Sequence, residues 1–254
     1  MTAVNGTIVV CADGYVGKRI VEWLSTYHPE SVSLVITVSE NDIFQHCQKH
    51  SIPVEALNAR SIRNTISSRI DGGIDLGILL WWPKILSKDD INIATKGFIN
   101  THPSLLPFHR GKNPNFWALK NGEPFGVSIH FLGSGIDDGD IIAQKQVPYS
   151  WTDNAGDLYK KSLESMIDLF KSTFSSILHN DVRRSTQDMS LGNFHYAREM
   201  DNACHFQLNQ TYSARDFLNL LRARTFGHYP ACWFTDEDGT EYEVRISITP
   251  RAHS

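Results

Sequence analysis

The sequence predicts an α/β protein with a Rossmann-like, mostly parallel sheet and a small C-terminal α+β module ending in a β-hairpin. Three observations predict this. Short β-branched runs alternate with helical spacing through the first eighty residues, a 3.6-residue apolar period marks one long helix after the sheet, and the last sixty residues return to a helix and a hairpin. The 254 residues are 41% hydrophobic and 20% charged with a net charge of -4, which is globular composition. That mild acidity argues against a broad phosphate-binding surface and leaves room only for a local basic pocket.

In order, TIVVC is a buried strand and GKRIVEWLSTY the helix that follows it. SLVITV, IFQHCQKH, PVEAL, IRNTISSRI and DLGILLW continue the strand-helix alternation, and GFIN supplies another strand. NPNFWALKNG is a short helix, opened by an early proline and closed by glycine. VSIHFL and IIAQKQVPY alternate like paired hairpin strands. From Asp157 to Leu178, apolar residues at Leu163, Met166, Ile167, Phe170, Phe174, Ile177 and Leu178 predict a long amphipathic helix. HNDVRRSTQDMSLGN is polar and turn-rich and reads as a linker. SARDFLNLLRA is a further helix, and CWFTDEDGTEYEVRISI is a hairpin turned by Asp-Gly. The expected division is residues 1–181 and 182–254.

Cys11, Cys47, Cys204 and Cys232 are scattered, form no CxxC pair, and read as small buried hydrophobes in a reducing compartment. MTAVNGTIVV has no signal-peptide character, and GILLWWP is too short to span a bilayer, so a cytoplasmic protein without a membrane anchor is expected.

Three places could carry chemistry. CADGYVGKR puts Gly14 and Gly17 in a strand-to-helix turn, but Ala12 stands where a dinucleotide fingerprint has its first glycine. His102, His109, His130, Asp137 and Asp140 fall close together without the spacing of any metal-ligand signature, so no metal is expected. The third place is FINTHPSLLPFHRG. Residues two apart on a strand project to the same side, so Asn100 and His102 point together, toward the crevice at the carboxyl end of the sheet. An amide beside an imidazole suits acyl transfer, with one group on a developing oxyanion and the other moving a proton. Asp137, Asp138 or Asp140, on the glycine-rich stretch GSGIDDGDII, could orient that imidazole.

NTHPSLLPFHRG, PNFWALKNGE and FGVSIHFLGSGIDDGDIIAQ, in consecutive order between Leu79 and Tyr149, resemble the formyltransferases that use 10-formyltetrahydrofolate. The resemblance implies Asn100, His102 and Asp137 as the catalytic trio, with Asp137 chosen because it follows Ile136, and Asp140 as a second, structural aspartate. It implies a folate pocket between Trp81, Trp82, Pro83, Lys84 and Ile85 on one side and Ser134, Ile136, Asp138 and Asp140 on the other. It also places Leu106-Pro107 where the family often has a cis peptide.

From Val182 to Ser254, eight arginines face nine carboxylates with no lysine, a poor surface for tRNA. LLRARTFGHYPACWF instead resembles the short C-terminal module of nucleotide-sugar N-formyltransferases, which are often homodimers. The expected substrate is then a nucleotide-linked amino sugar of the dTDP-4-amino-4,6-dideoxyhexose type, used for surface polysaccharide, with no nucleic-acid partner. Arg222, Phe226 and Tyr229 could hold its diphosphate and base, although aromatics there could equally pack the module. Arg110, Lys112 and Asn115 flank the strand that carries Asn100. HRGKNPNFW departs from the Asn-Arg-Gly-Trp-Phe-Pro pattern of the thymidine-diphosphate branch, which leaves base and sugar open. The alternatives are a methionyl-tRNA formyltransferase-like enzyme or, in another class, an NAD(P)-binding oxidoreductase or sensor built on the Gly14/Gly17 turn.

Overall fold

The computed structural model describes residues 6–58 and 61–251, so the first five residues of the opening stretch lie outside it. β1 (Ile8–Ala12), α1 (Gly14–Tyr27), β2 (Leu34–Thr37), α2 (Asp42–Lys49), β3 (Val54–Ala56), α3 (Ile62–Ser67) and β4 (Leu76–Leu80) follow the expected alternation. A short α4 (Lys88–Ile91), not expected from the sequence, precedes β5 (Phe98–His102). It exists because Ser87 and Asp90 close a capping box around a single turn. β6 (Arg110–Gly111), α5 (Pro114–Asn121), β7 (Gly126–Phe131), β8 (Ile141–Gln146) and α6 (Ala155–Leu178) complete the larger part.

The seven-stranded sheet has the order β3-β2-β1-β4-β5-β7-β8. The first five strands pair in parallel, whereas β7 returns antiparallel to β5 and β8 antiparallel to β7. α1 and α6 cover one face, where Val16, Ile20, Met166, Phe170 and Phe174 meet Val10, Ile78, Ile99 and Ile129. Phe170 and Phe174 are fully buried there, and truncating either to alanine costs about 3–5 kcal/mol. On the opposite face α3 covers Val9, Ile36, Leu79 and Phe98. α6 starts at Ala155, two residues before the apolar period, because Asn154 and Asp157 form its capping box.

After β9 (Phe194–His195), α7 (Ala197–Cys204), α8 (Ala214–Arg224), β10 (Cys232–Thr235) and β11 (Glu241–Val244) form the C-terminal module. Its α8 packs on α5, and Leu220, Leu221, Phe206 and Cys232 share one apolar cluster with Phe116, Leu119, Phe125 and Leu158. The four cysteines are free and buried. Among the described residues no helix is long and apolar enough to cross a membrane.

The segment read as a linker is structured. Ser185 pairs with Ile141 through two backbone hydrogen bonds of 2.8 and 2.9 Å, and β9 pairs in parallel with β6. Residues 184–195 thus form a strap laid across the loops that leave β5 and β7. Polar turn-rich composition disguised it, because its contacts run to backbone groups far away in sequence.

Candidate active site

Asn100 and His102 lie on β5, and Asn100 is directly opposite His130 of β7. Directly paired residues of an antiparallel ladder share a face. Ile99 and Ile129, each one residue before a member of that pair, join the α1/α6 core, so all three polar side chains point to the other face of the sheet. Asn100 and His102 lie in the carboxyl-terminal half of β5, His102 being its last residue. The cluster sits over β5 and β7, roofed by the loops 103–111 and 132–140. The antiparallel return of β7 brings His130 alongside Asn100.

Asp137 reaches this cluster from a left-handed backbone conformation, φ 53°. Non-glycine residues rarely adopt it, aspartate being one of those that tolerate it. One carboxylate oxygen, Oδ2, accepts from the Gly111 N–H at 3.0 Å and lies 3.4 Å from His102 Nδ1. The other, Oδ1, accepts from Asn100 Nδ2 at 3.4 Å. Gly111 can approach because it has no Cβ: its φ is 89°, and a Cβ would run into the His195 carbonyl.

Burial pushes the Asp137 carboxyl up, but the His102 imidazole, the nearby His130 ring and the Gly111 amide outweigh it. The result is a carboxylate held well below the usual range. Burial dominates at His102 and lowers its pKa; Asp137 opposes that shift without cancelling it. The resting pair is therefore a carboxylate beside a neutral imidazole, with the ring proton on Nδ1 facing Asp137. Nε2 then carries a lone pair and lies 3.5 Å from the His109 carbonyl, a contact that becomes a hydrogen bond only when Nε2 is protonated.

His130 was weighed as a metal ligand but acts differently here. Its Nδ1–H donates to the Phe131 carbonyl at 2.8 Å, so its Nε2 is an acceptor facing Asn100 Nδ2 at 3.3 Å. The amide of Asn100 is thereby oriented from two sides. Among the described residues no group of three or more side chains is placed to hold a metal ion. Ser128 and His130, two apart on VSIHFL, repeat the spacing of Asn100 and His102, and that was the available signal for His130.

The other expected site residues divide into two groups. Trp81 is in a left-handed conformation (φ 55°) and its N–H donates to Thr101 Oγ1 at 3.0 Å. Trp82 is half-buried with an unpartnered Nε1; Pro83, Lys84 and Ile85 are exposed, Ile85 at 84%. Ser134 and Ile136 are exposed, as are Lys112 and Tyr229. Arg110, on β6 beside Gly111, is half-buried with its Nε unpartnered.

The second group is occupied elsewhere, which corrects the sequence expectation. Arg222 is 5% exposed, its guanidinium donating to the carbonyls of Ser150 (2.6 Å) and Asp153 (3.3 Å) and to Asn219 Oδ1 (3.0 Å). A buried cation with three internal acceptors is structural. Asn115 donates to the Ala155 carbonyl at 3.0 Å. Asp138 folds back to accept from Gly135 N–H at 2.8 Å, and Asp140 accepts from Thr186 at 3.0 Å. Phe226 packs on Tyr159 and Gly156, the packing alternative for that segment. The Gly14/Gly17 turn presents the Asp13 carboxylate, bound by Asn41 Nδ2 at 3.1 Å, at the mouth a dinucleotide pyrophosphate would need. Leu106-Pro107 is cis.

Comparison with known proteins fits this geometry. The model of the formyl transferase family matches residues 7–172, and that of the N-formyltransferase dimerization C-terminal domain matches residues 199–250. The dTDP-4-amino-4,6-dideoxyglucose formyltransferase of Mycobacterium tuberculosis strain H37Rv is 28% identical over 152 residues, 60% of this chain and 64% of that protein. The methionyl-tRNA formyltransferase of Azobacteroides pseudotrichonymphae is 30% identical over 217 residues, 83% of this chain and 65% of that protein. The chain thus spans less than two thirds of the length of either relative. Among solved structures, a 4-N formyltransferase from Francisella tularensis superposes with a TM-score of 0.79 at 25% identity, covering 97% of this chain and 99% of the other.

Proposed function

The chain belongs to the formyl transferase family, and on that premise we propose that it moves the formyl group of 10-formyltetrahydrofolate onto the amine of a nucleotide-linked amino-deoxy sugar. The observation that carries this reading is the cluster of Asn100, neutral His102 and ionised Asp137, fixed on one sheet face. The mycobacterial relative and the matched C-terminal domain support the sugar acceptor and a homodimer.

The residues present suit a planar heteroaromatic donor. The unpartnered Trp82 Nε1 offers a hydrogen bond, and Ile85 and Ile136 expose apolar surface on the two loops that flank the cluster. Trp81 to Ile85 and Ser134 to Ile136 would hold it, while Asp138 and Asp140 would shape the loop. The bound donor supplies an activated formyl carbon. Asn100 Nδ2–H donates to the formyl oxygen as negative charge develops there, exchanging one of its present acceptors. His102 Nε2 takes the proton leaving the attacking amine. The imidazolium so formed lies between the Asp137 carboxylate and the His109 carbonyl, each within 3.5 Å. As the new C–N bond forms and the bond from the formyl carbon to the donor nitrogen breaks, His102 returns the proton to that nitrogen, which departs as the free amine. Arg110, with its unpartnered Nε, and exposed Lys112, both beside Gly111, would meet the diphosphate of the acceptor.

The test incubates the protein with the formyl donor and thymidine-, uridine- and guanosine-diphosphate amino sugars, with methionyl-tRNA as a further acceptor, and reads the mass gain of one formyl group. A gain on a nucleotide sugar supports the reading; a gain on tRNA alone overturns the substrate. A cytoplasmic setting in surface-polysaccharide synthesis belongs to the same proposal.

A further inference from the structure

The strap is joined to the reacting pair more closely than a connector needs to be. Its residues 184–187 engage the loop that carries Asp137 and the two strand ends that flank it. The Arg184 guanidinium lies 3.7 Å from the Phe131 ring centroid, Ser185 pairs with Ile141, and Thr186 donates to Asp140. Gln187 is 7% exposed, and its Nε2 donates to the Asp137 carbonyl at 2.9 Å and to the Gly139 carbonyl at 2.7 Å. Two carbonyl acceptors leave only the NH2 end of the amide able to occupy that position, so the orientation is fixed and Oε1 stays unpartnered. Further along, Asn193 Oδ1 accepts from the His109 N–H at 2.7 Å, and its carbonyl accepts from the Arg110 N–H at 3.0 Å.

The two contacts fall on the two sides of His102. Gln187 holds the peptide groups around Asp137, which faces Nδ1; Asn193 holds His109, whose carbonyl faces Nε2. A left-handed aspartate persists only where its surroundings determine it. The 3.4 Å separations from Asp137 to His102 and Asn100 are long enough that a small peptide rotation would break them.

We infer that Gln187 is a positioning residue for Asp137, and that the strap, with Asn193 at its far end, completes the reacting cluster from the C-terminal side. The mechanistic consequence rests on the reading of His102 and Asp137 as the pair that moves the proton.

Gln187→Met keeps the size and removes both donors; Gln187→Glu faces the two carbonyls with oxygens and serves as second variant if the first does not fold. In the full chain, kcat is expected to fall about 10- to 100-fold, as for other outer partners of reacting groups, while both KM values stay within about twofold. The readout that a merely structural role would not move is the His102 ring titration, followed by NMR and assigned with His102→Asn. The groups facing that ring are Asp137, His130 and Lys112, and of these Asp137 alone raises its pKa. A retreating Asp137 therefore shifts the titration to lower pH in both variants. An unmoved titration overturns the inference, whether or not kcat falls. Absence of formyl transfer by the wild type would defeat the proposed function, while the titration would still decide the positioning role.

Discussion

Two strand ends of one sheet offer candidate chemistry in the sequence, and the structure treats them differently. After β1, a glycine turn leads into α1; after β5, a proline-rich turn leads away from Asn100 and His102. At the first, Gly17 is small because a Cβ would press on Ala12 and the Leu80 carbonyl at 3.2 Å, and Asp13 spends its carboxylate on Asn41. At the second, three polar side chains from two strands meet a carboxylate in strained backbone. A glycine turn reports what the backbone needs, whereas paired polar residues on one face of a strand report chemistry.

Predictions that break or sharpen this contrast run from large to small. Asp137→Asn removes the carboxylate that holds His102 and stabilises its protonated form, so turnover falls by about a hundredfold or more. The same change shows in the pH profile. His102 acts when neutral and burial already lowers its pKa, so wild-type activity holds at neutral pH and falls only below the ordinary histidine value of about 6.5. Removing Asp137 lowers the pKa further, and the residual activity of the variant keeps its acid limb at lower pH. A limb moving upward would contradict the assigned roles.

Gly17→Ala, at the other strand end, overpacks the α1 junction by about 1–3 kcal/mol. Calorimetry should show a Tm lower by about 2–4 °C per kcal/mol, with turnover within about twofold. A large loss of turnover with intact Tm would return chemistry to the glycine turn.

The smallest effect is on stability against pH. Burial holds His109 neutral and lowers its pKa to about 4, despite Glu123 at 3.3 Å. Its unfolded value is about 6.5, so this contribution is complete above about 6.5 and is lost as pH falls toward about 4. His102, His46 and His195 shift the same way, so Tm should drop between neutral pH and pH about 5, and His109→Gln should flatten but not abolish the slope. An unchanged slope would remove His109 from that account.

Much of the sheet was legible because strand and helix periods are local. Asn100 and His102 were legible for the same reason, being two residues apart on one strand. Asp137 came from family resemblance, since three nearby aspartates compete and only the folded loop shows which one turns inward. His130 depends on the β5–β7 register, thirty residues away, and Gln187 on a contact across fifty. Arg222 misled because a basic residue in the last turn of a helix ordinarily faces solvent, whereas here Ser150 and Asp153 carbonyls enclose it.

The central claim is that Asn100 stabilises charge on the formyl oxygen during transfer. Its most direct test is the single-turnover rate of formyl transfer to the accepted nucleotide sugar, compared between wild type and Asn100→Ala. Circular dichroism and donor binding would be measured alongside. The account predicts a rate lower by about a hundredfold to a thousandfold, with fold and donor binding retained. A rate within about threefold of wild type would contradict it, because losing an oxyanion donor costs far more.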